Sequence, residues 1–592
     1  MPEYKAPLRD LEFAMNEVLD FEAHYATLPG GDEASPDMVK AVLEEGAKFV
    51  ENEIVELNRS GDEEGASWKD GQVTTPAGFK QAYDRLVENG WCGLSQPVEY
   101  GGQGLPNSLN TAFYEMLAGG NLSWAIYPTL TWGAVETVSA HAPEEIRQHY
   151  LPPMVEGRWA GTMCLTEAHC GSDLGLLKTK AEPNDDGSYS ITGSKIFISA
   201  GDQDLTENIV HIVLARLPNA PEGVKGISLF VVPKINVNDD GSLGERNSVS
   251  CGSIEHKMGI KASATCVMNF DDARGFLIGP PNKGMACMFT FINESRLGVA
   301  VQGQSTSEHA FQGSLAYARE RLQMKGSPRH SPEKPADPII VHPDVRRMLL
   351  TQKAIAEGGR LFNLYCAKLV DIKHRGTEEQ QAEAEARLAL LTPIAKGFLT
   401  ETAQESAKEG VQVFGGHGFI REWGMEQLYR DVRITAIYEG TTCIQGLDLL
   451  GRKILPSGGK LLTNFTTEVT EFAQSQASHP ELAEMASALI AKVELWQSLT
   501  GELADRLKQS GPDELNSAAV DYLMLSGYII LGYFWLQAAA AANGKDGAFY
   551  QAKAQTAAFY FKRLLPRTTS LAETIRDGAA TLTGIDEESF AF

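Results

Sequence analysis

The sequence predicts a mainly α-helical protein with an antiparallel β domain inserted between helical blocks. Three observations lead to this fold class. Apolar residues recur at helical spacing up to about residue 158, for example in segments 37–57 and 75–90. Short alternating or apolar runs of β type then occupy residues 162–272. Helical periodicity resumes after Met285 and continues towards the C-terminus.

The first two predicted domains are residues 1–160, which are helical, and residues 161–275, which form the β domain. In the first, DMVKAVLEEGAKFVENEIVEL carries apolar residues three and four positions apart and polar residues at its ends. In the second, turn-rich pieces such as PNDDG and NDDGS separate the β-type runs. The clearest strands are expected within 188–199, 208–217, 226–235 and 265–270.

The rest of the chain is predicted to form two further helical domains. Residues 276–455 contain long stretches of helical periodicity and one proline-rich break at 323–341. Because of this regular spacing we expect them to form a helical bundle. Beyond LPSGG at 455–459, residues 456–592 are expected to form a C-terminal helical extension.

An apolar stretch from Tyr522 to Ala542 is long enough to resemble a membrane span. It lies among amphipathic helices, its second half is mostly alanine, and no basic cluster marks a cytoplasmic flank. We therefore expect a buried core helix and no membrane span.

Charge and cysteine usage restrict the partners and the compartment. The 592-residue chain has a formal net charge of −25, which repels nucleic acid and anionic membranes, and its last helical block is acidic as well. The eight cysteines show no CxxC pair, and His169 beside Cys170 lacks further ligands, so we expect reduced thiols and no metal site. No secretory or peroxisomal signal is visible, and a cytoplasmic location is expected.

One carboxylate has unusual neighbours. Glu439 lies in AIYEGTT, between Ala436, Ile437 and Tyr438 on one side and Gly-Thr-Thr on the other. Apolar and aromatic neighbours solvate an anion poorly, so Glu439 either occupies a surface turn or is kept dry for a purpose.

Two glycine clusters and one polar loop are ambiguous when taken singly. The clusters at 99–106 and 413–419 do not fit a dinucleotide-binding fingerprint, because the first follows no apolar strand and the second follows a helical segment. They allow backbone to approach a phosphate or a flat ring, and they equally suit tight turns. In LTEAHCGSD, Thr166 and Ser172 offer hydroxyls beside flexible backbone, which again also fits a plain polar turn.

Six motifs together resemble the acyl-CoA dehydrogenase family in order and spacing. The resemblance covers roughly residues 75–452 and implies that two helical domains and a β domain clamp FAD and an acyl-CoA thioester. It further implies α,β-dehydrogenation, with an electron-transferring flavoprotein as acceptor. The motifs are LTEAHCGSD (165–173), GSKIFISAGD (193–202), MGIKASAT (258–265), ARERLQ (318–323), QVFGGHGF (412–419) and YEGTT (438–442).

The resemblance also implies positions in the β domain that bind FAD. Thr166 matches the hydroxyl at the pyrimidine edge of the flavin, and Ser172 matches a serine near the phosphates that also lies on the substrate side. Phe197 and Ser199 match residues that lie against the flavin, where the family usually has Trp and Thr. The aromatic ring and the hydroxyl are retained, although the stacking area is smaller.

Further positions are implied in the helical bundle. Arg321 and Gln323 match residues that reach the FAD of a neighbouring subunit, which implies a homodimer or a dimer of dimers. An arginine fork and close-approach glycines suit a diphosphate. Arg296 is expected to face the CoA. The remaining FAD contacts implied here are Gln412, Gly415, Gly416 and Thr441.

Glu439 matches the general base of the family. A carboxylate with an ordinary pKa of roughly 4.3 is too weak to remove a thioester α-proton, so its surroundings must exclude water. Ala436, Ile437 and Tyr438 are expected to help exclude water. The resemblance also implies that the Glu439 backbone N–H and a flavin ribityl hydroxyl bind the thioester carbonyl and that Gly440 contacts the substrate. Glu294 lies one residue away from the position that bears the base in some members, and is expected to be structural.

Chain length and the segments outside the six motifs most resemble a bacterial subgroup that oxidises 3-methylmercaptopropionyl-CoA to 3-methylthioacryloyl-CoA in dimethylsulfoniopropionate breakdown. A straight-chain acyl-CoA dehydrogenase of β-oxidation and an acyl-CoA oxidase are the enzymatic alternatives. A catalytically idle flavoprotein that binds nucleic acid is a third, and the 10 basic against 16 acidic residues in 455–592 weigh against it.

Overall fold

The computed structural model describes residues 3–591. They form two compact units: a middle unit, Glu44–Gly298, and a terminal unit that combines the described residues up to Leu43 with those from Val299 onward. The boundaries of the four predicted domains stay a prediction.

The described residues form nineteen α-helices. The helices are α1 (Leu8–Glu12), α2 (Phe21–Thr27), α3 (Pro36–Phe49), α4 (Glu56–Glu64), α5 (Phe79–Glu88), α6 (Asn107–Gly120), α7 (Leu122–His141), α8 (Glu144–Glu156), α9 (Gly284–Glu320), α10 (Pro343–Arg375), α11 (Glu378–Phe414), α12 (Met425–Val432), α13 (Thr442–Leu447), α14 (Lys460–Gln476), α15 (Ala483–Ser510), α16 (Asp513–Ala542), α17 (Ala548–Phe559), α18 (Arg567–Asp577) and α19 (Ala580–Thr583).

Within residues 3–591 the strands all lie in the middle unit, as the sequence predicts for a β domain between helical blocks. A seven-stranded sheet has the order β10-β11-β5-β4-β6-β3, and β7 pairs with both β11 and β6. The strands are β1 (Ser67–Lys69), β2 (Gln72–Thr74), β3 (Trp159–Cys164), β4 (Lys180–Pro183), β5 (Tyr189–Ser199), β6 (Asn208–Arg216), β7 (Ile227–Pro233), β8 (Ile235–Val237), β9 (Leu243–Arg246), β10 (Val249–Ile254) and β11 (Thr265–Ile278).

The sheet is mixed, which corrects the expectation of a purely antiparallel sheet. β3 runs parallel to β6, with Trp159 opposite Asn208, and β4 meets β6 in a parallel bridge. A parallel neighbour needs a long connection, and here the chain passes through β4 and β5 before it returns as β6. The alternation of side chains along a strand is the same in both directions, so the sequence pattern could not reveal this pairing.

Both faces of the sheet are covered within the middle unit. Along β6, Ile212 packs into a cluster that includes Leu151 of α8 and Phe291, whereas Val213 packs with Phe230 on the other face. Burial on both faces explains why β6 and β7 read as nearly continuous apolar runs.

The terminal unit is built around α10, α11 and α16. Helix α16 contains the apolar stretch of the sequence. Of its most apolar 18 residues, 83% are buried, as expected for a core helix. Trp535 Nε1 of α16 donates to the carbonyl of Ala354 in α10 at 3.0 Å. Gly527 brings α16 so close to α11 that a Cβ there would lie 2.1 Å from the ring of Phe398.

The N-terminal segment belongs to the terminal unit, where α1 meets helices from the far end of the sequence. Leu11 and Phe13 are buried. The carboxylate of Asp10 accepts hydrogen bonds from Arg360 of α10 and from Lys553 of α17. Because both cations are themselves buried, this ion network holds the first turns of the chain in the interior of the unit.

Candidate active site

Glu439 lies on a short loop of the terminal unit, between a 3₁₀ turn at Arg433–Ala436 and the start of α13. Its side chain is half-buried. Its backbone φ is +56°, and that of Gly440 is +90°. A residue other than glycine adopts such a φ only at a cost of roughly 1–2 kcal/mol, and such positions cluster at functional sites. The loop therefore holds the candidate base in an unfavourable backbone conformation.

The three apolar or aromatic residues before Glu439 differ in how far they are buried. Ala436 is buried and Tyr438 is half-buried, but Ile437 is 46% exposed. Ile437 is therefore not part of the core of the terminal unit, and its contribution to shielding the carboxylate stays a prediction.

Side chains of three helices bind this loop, two of them at its backbone carbonyls and the third at the Tyr438 side chain. Lys396 Nζ of α11 donates to the Gly440 carbonyl at 2.6 Å, and Gln445 Nε2 of α13 donates to the Glu439 carbonyl at 2.9 Å. The Tyr438 hydroxyl donates to Gln302 Oε1 of α9. The loop is thus tied to rigid elements on both sides of Glu439.

Sequence reasoning missed these supporting residues because they lie outside the motif. Lys396 is 44 positions before Gly440, and Gln302 is 136 positions before Tyr438. One signal was available: Lys396 interrupts the otherwise apolar run PIAKGFL, where a charged residue needs a partner.

Thr441 and the glycine pair offer polar surface within the same unit. The Thr441 hydroxyl caps α13 by accepting from Ile444 N at 3.4 Å. Gly415, with φ +59°, ends α11, and a Cβ built on Gly415 or on Gly416 would meet nothing within 4 Å. Gln412 is exposed in the last turn of α11. Open backbone beside a polar side chain fits the approach of a phosphate or a ring.

Arg321 and Gln323 lie just beyond the end of α9 and are exposed. Tyr317, one turn earlier, stacks on Phe414 with 4.2 Å between ring centroids, and its hydroxyl lies 2.9 Å from His417 Nδ1. The last turns of α9 therefore pack against the glycine turn, and the shared FAD contact of Arg321, Gln323 and the two glycines stays a prediction.

In the middle unit, the predicted flavin residues lie on β5 and on the loop beside it. Ile196 N donates to the Thr166 carbonyl at 2.9 Å, which joins the loop to the strand. Phe197 is 59% exposed and has a φ of +58°. Thr166 and Ser199 are half-buried and Ser172 is exposed. An aromatic ring exposed from a strand in a left-handed conformation offers a face for a flat cofactor.

Glu167 fixes this loop. Its carboxylate accepts from Lys178 N at 2.7 Å, from Thr179 N at 3.0 Å, from Thr179 Oγ1 at 2.6 Å and from the buried Lys195 Nζ at 2.9 Å. Burial alone would raise the pKa of Glu167, but the Lys195 charge and the other donors outweigh it and lower the pKa to about 2.

The neighbours of Glu167 include potential metal ligands. Ligand atoms of Glu167, His169 and Cys170 lie within 4.8 Å of one another. The oxygens of Glu167 already accept hydrogen bonds, and the Lys195 ammonium repels a cation at this place. These three residues are therefore explained as a structural anchor.

Arg296 and Glu294 lie on α9. Arg296 is buried, and Glu294 is half-buried. Contact between Arg296 and CoA stays a prediction, and so does the structural role of Glu294.

Four models of acyl-CoA dehydrogenase domains match the chain. They are the N-terminal domain over residues 37–158, the middle domain over 162–273, the C-terminal domain over 282–455, and an acetyl-CoA dehydrogenase C-terminal-like domain over 465–586. Together they span most of the sequence.

Individual proteins are similar over the whole length. A 3-methylmercaptopropionyl-CoA dehydrogenase of Ruegeria pomeroyi is 41% identical, and the match covers 98% of this chain and 99% of that protein. A broad-specificity linear acyl-CoA dehydrogenase of Mycobacterium tuberculosis is 33% identical over 100% of both chains. The fold is also that of an acyl-CoA dehydrogenase from Bacillus anthracis complexed with FAD, with a TM-score of 0.75, 22% identity, and coverage of 96% of this chain and 92% of that one.

These matches confirm the resemblance inferred from the six motifs and the mainly helical fold class with a central sheet. The chain belongs to the acyl-CoA dehydrogenase family of oxidoreductases.

Proposed function

We propose that this acyl-CoA dehydrogenase removes the α-proton of a short acyl-CoA thioester with Glu439 as general base. The observation that carries the proposal is the loop itself: a half-buried carboxylate at φ +56°, with hydrogen bonds from Gln445 to the Glu439 carbonyl and from Lys396 to the Gly440 carbonyl. Such support keeps a base in one position while the substrate varies. The Glu439 N–H is the proposed donor to the thioester carbonyl, where negative charge develops as the α-proton leaves.

The cofactor of this family is FAD, and residues of each unit fit it when considered separately. When bound, FAD supplies the acceptor for the hydride that leaves the β-carbon. In the middle unit, Phe197 would offer its exposed ring to the flavin, and Thr166 its hydroxyl and backbone to the pyrimidine edge. In the terminal unit, Gly415 and Gly416 would admit a pyrophosphate because no side chain occupies the space above them.

The proposed substrate is 3-methylmercaptopropionyl-CoA, with 3-methylthioacryloyl-CoA as product. The support is the relative of that name, at 41% identity over almost the whole of both chains. Oxidation of straight-chain acyl-CoA is the second candidate, which the broad-specificity linear relative supports. Turnover of a panel of acyl-CoA thioesters with a dye acceptor separates the two: the first candidate requires the highest kcat/KM for the thioether substrate, and a preference for butyryl-CoA would overturn it.

Electron-transferring flavoprotein is the proposed electron acceptor, a homodimer or dimer of dimers the proposed assembly, and the cytoplasm the proposed location. The rival acyl-CoA oxidase activity would release peroxide in proportion to turnover, whereas a dehydrogenase would not. Mass measurement by light scattering would determine the assembly.

The replacement Glu439→Gln tests the base. We expect protein that keeps its bound FAD, seen as the visible absorbance of the flavin, but loses kcat by at least the roughly 10²–10⁴-fold that is typical when a general base is removed. Glu294→Gln, on α9, serves as the matched carboxylate control and should keep activity. Full activity of Glu439→Gln together with an inactive Glu294→Gln would assign the base to α9 instead.

A further inference from the structure

Lys396 is a buried cation that the proposed reaction does not use directly. It lies in the middle of α11 and is fully buried. Its Nζ lies 2.6 Å from the carbonyl of Gly440, the residue directly after Glu439. Removing an ammonium from water is costly, so a lysine at such a place needs a function that an apolar residue could not perform.

The loop that Lys396 contacts has a backbone that would not hold its shape unaided. Glu439 and Gly440 are consecutive residues with positive φ, and only the second is a glycine. The carbonyl of Glu439 receives a neutral hydrogen bond from Gln445 at 2.9 Å. The carbonyl of Gly440 receives the charged one from Lys396 at 2.6 Å and a longer neutral one from Gln445 at 3.3 Å. A charge-assisted hydrogen bond is roughly twice as strong as a neutral one, so Lys396 is the stronger of these two restraints.

The direction of the Glu439 side chain depends on this backbone. Rotation of a residue from the left-handed region to φ below zero swings its Cα–Cβ bond to a different side of the chain. Displacement of a reacting group by about 1 Å is enough to slow a reaction by about 100-fold. The restraint on the Gly440 carbonyl therefore acts on the carboxylate of the preceding residue.

We infer that Lys396 is a positioning residue for the general base: its ammonium binds the Gly440 carbonyl, holds the Glu439–Gly440 segment in its left-handed conformation, and so aims the Glu439 carboxylate. This inference rests on the proposed role of Glu439. It assigns to Lys396 no contact with substrate or cofactor.

The test is Lys396→Met, which keeps the length of the side chain and removes the donor. We expect kcat to fall 10–100-fold while KM stays within threefold and bound FAD per chain is unchanged. The reason is that the variant loses the orientation of the Glu439 carboxylate but keeps the binding of substrate and cofactor. The matched control is Lys408→Met, a lysine on the same helix whose side chain is 61% exposed, and it should behave as wild type. A kcat of Lys396→Met within threefold of wild type would overturn the inference, as would a loss of FAD that accounts for the lost activity.

A double mutant separates positioning of the base from a general structural effect. If Lys396 acts through Glu439, then Lys396→Met should slow the residual single-turnover rate of Glu439→Gln by less than threefold. A further 10–100-fold loss in that background would show an effect independent of the base and would overturn the inference.

The same variants distinguish a failure of the proposed base from a failure of the proposed role of Lys396. An active Glu439→Gln enzyme would refute the proposed base itself, whereas an inactive one beside a fully active Lys396→Met enzyme refutes only the role of Lys396. If Lys396→Met does not fold, Gln445→Leu removes the neutral restraint instead. It should lower kcat about 3–10-fold at unchanged KM, and an unchanged kcat would count against positioning by this network.

Discussion

Replacing Glu167 with glutamine should lower the stability of the middle unit by about 3–5 kcal/mol, the cost of leaving one member of a buried ion pair alone. The carboxylate accepts four hydrogen bonds, one of them from the fully buried Lys195 at 2.9 Å. Glutamine keeps the shape, but it is neutral and turns an NH₂ group towards one set of these donors. Lys195 would then remain in the interior without a counter-charge.

The pKa of Glu167 gives a second route to this magnitude. Its value of about 2, against an ordinary 4.5, corresponds to about 3 kcal/mol of stability at neutral pH. Burial lowers the pKa of Lys195, so part of this gain offsets the cost of keeping the lysine charged. Both routes place the effect well above the roughly 0.5 kcal/mol typical of a surface substitution.

The assay is hydrogen exchange in increasing urea, read on peptides from β4 and β5, because it reports the opening of this part of the sheet separately from the rest of the chain. Glu182→Gln, an exposed carboxylate on β4, is the control and should leave exchange unchanged. The double replacement Glu167→Gln with Lys195→Met should recover more than half of the loss, since it leaves no unpaired charge. A Glu167→Gln protein within 1 kcal/mol of wild type would refute the reasoning.

Three other predictions concern the acid stability of the protein, two helical glycines and the reactivity of one cysteine. Because the folded-state pKa of Glu167 is lowered, its stabilisation is complete above about pH 4.5 and is lost as the pH falls towards 2, so acid unfolding of wild type should be steeper than that of Glu167→Gln. Gly527→Ala should destabilise the terminal unit by about 1–3 kcal/mol, because its Cβ meets the ring of Phe398, whereas Gly501→Ala on α15, with open space around it, should stabilise by up to about 1 kcal/mol; urea unfolding compares them. Cys443 is exposed and the other seven cysteines are buried, so a maleimide should label about one thiol per native chain, and none in Cys443→Ser.

The features that the sequence predicted correctly are those written in local patterns. Helical spacing revealed the blocks on either side of the sheet. The motif YEGTT singled out Glu439 through its immediate neighbours, and the role of Glu439 as base stays a prediction. Two features of the structure could not be predicted from such patterns. The parallel pairing of β3 with β6 depends on the path of the chain between them, which alternation does not encode. The exposure of Ile437 depends on which side of a short loop faces the helices.

The residues that support the Glu439 loop were even less predictable from the sequence. Lys396 and Gln302 reach the Glu439 loop from other helices, 44 and 136 positions away from the residues they bind. Hydrogen bonds over such separations follow from packing angles between helices, and no spacing rule within one segment predicts them.

The ion network at Asp10 bears on how the protein is made. Its partner Lys553 follows 543 residues later, so the N-terminal segment leaves the ribosome long before that partner exists. At roughly 5–20 residues per second, α17 is synthesised about half a minute to two minutes after Asp10 and Phe13, whose side chains it contacts. During that interval Phe13 lacks the ring of Phe549 and the ammonium of Lys553, which both lie against it in the folded chain, so its full burial comes only after α17 is synthesised.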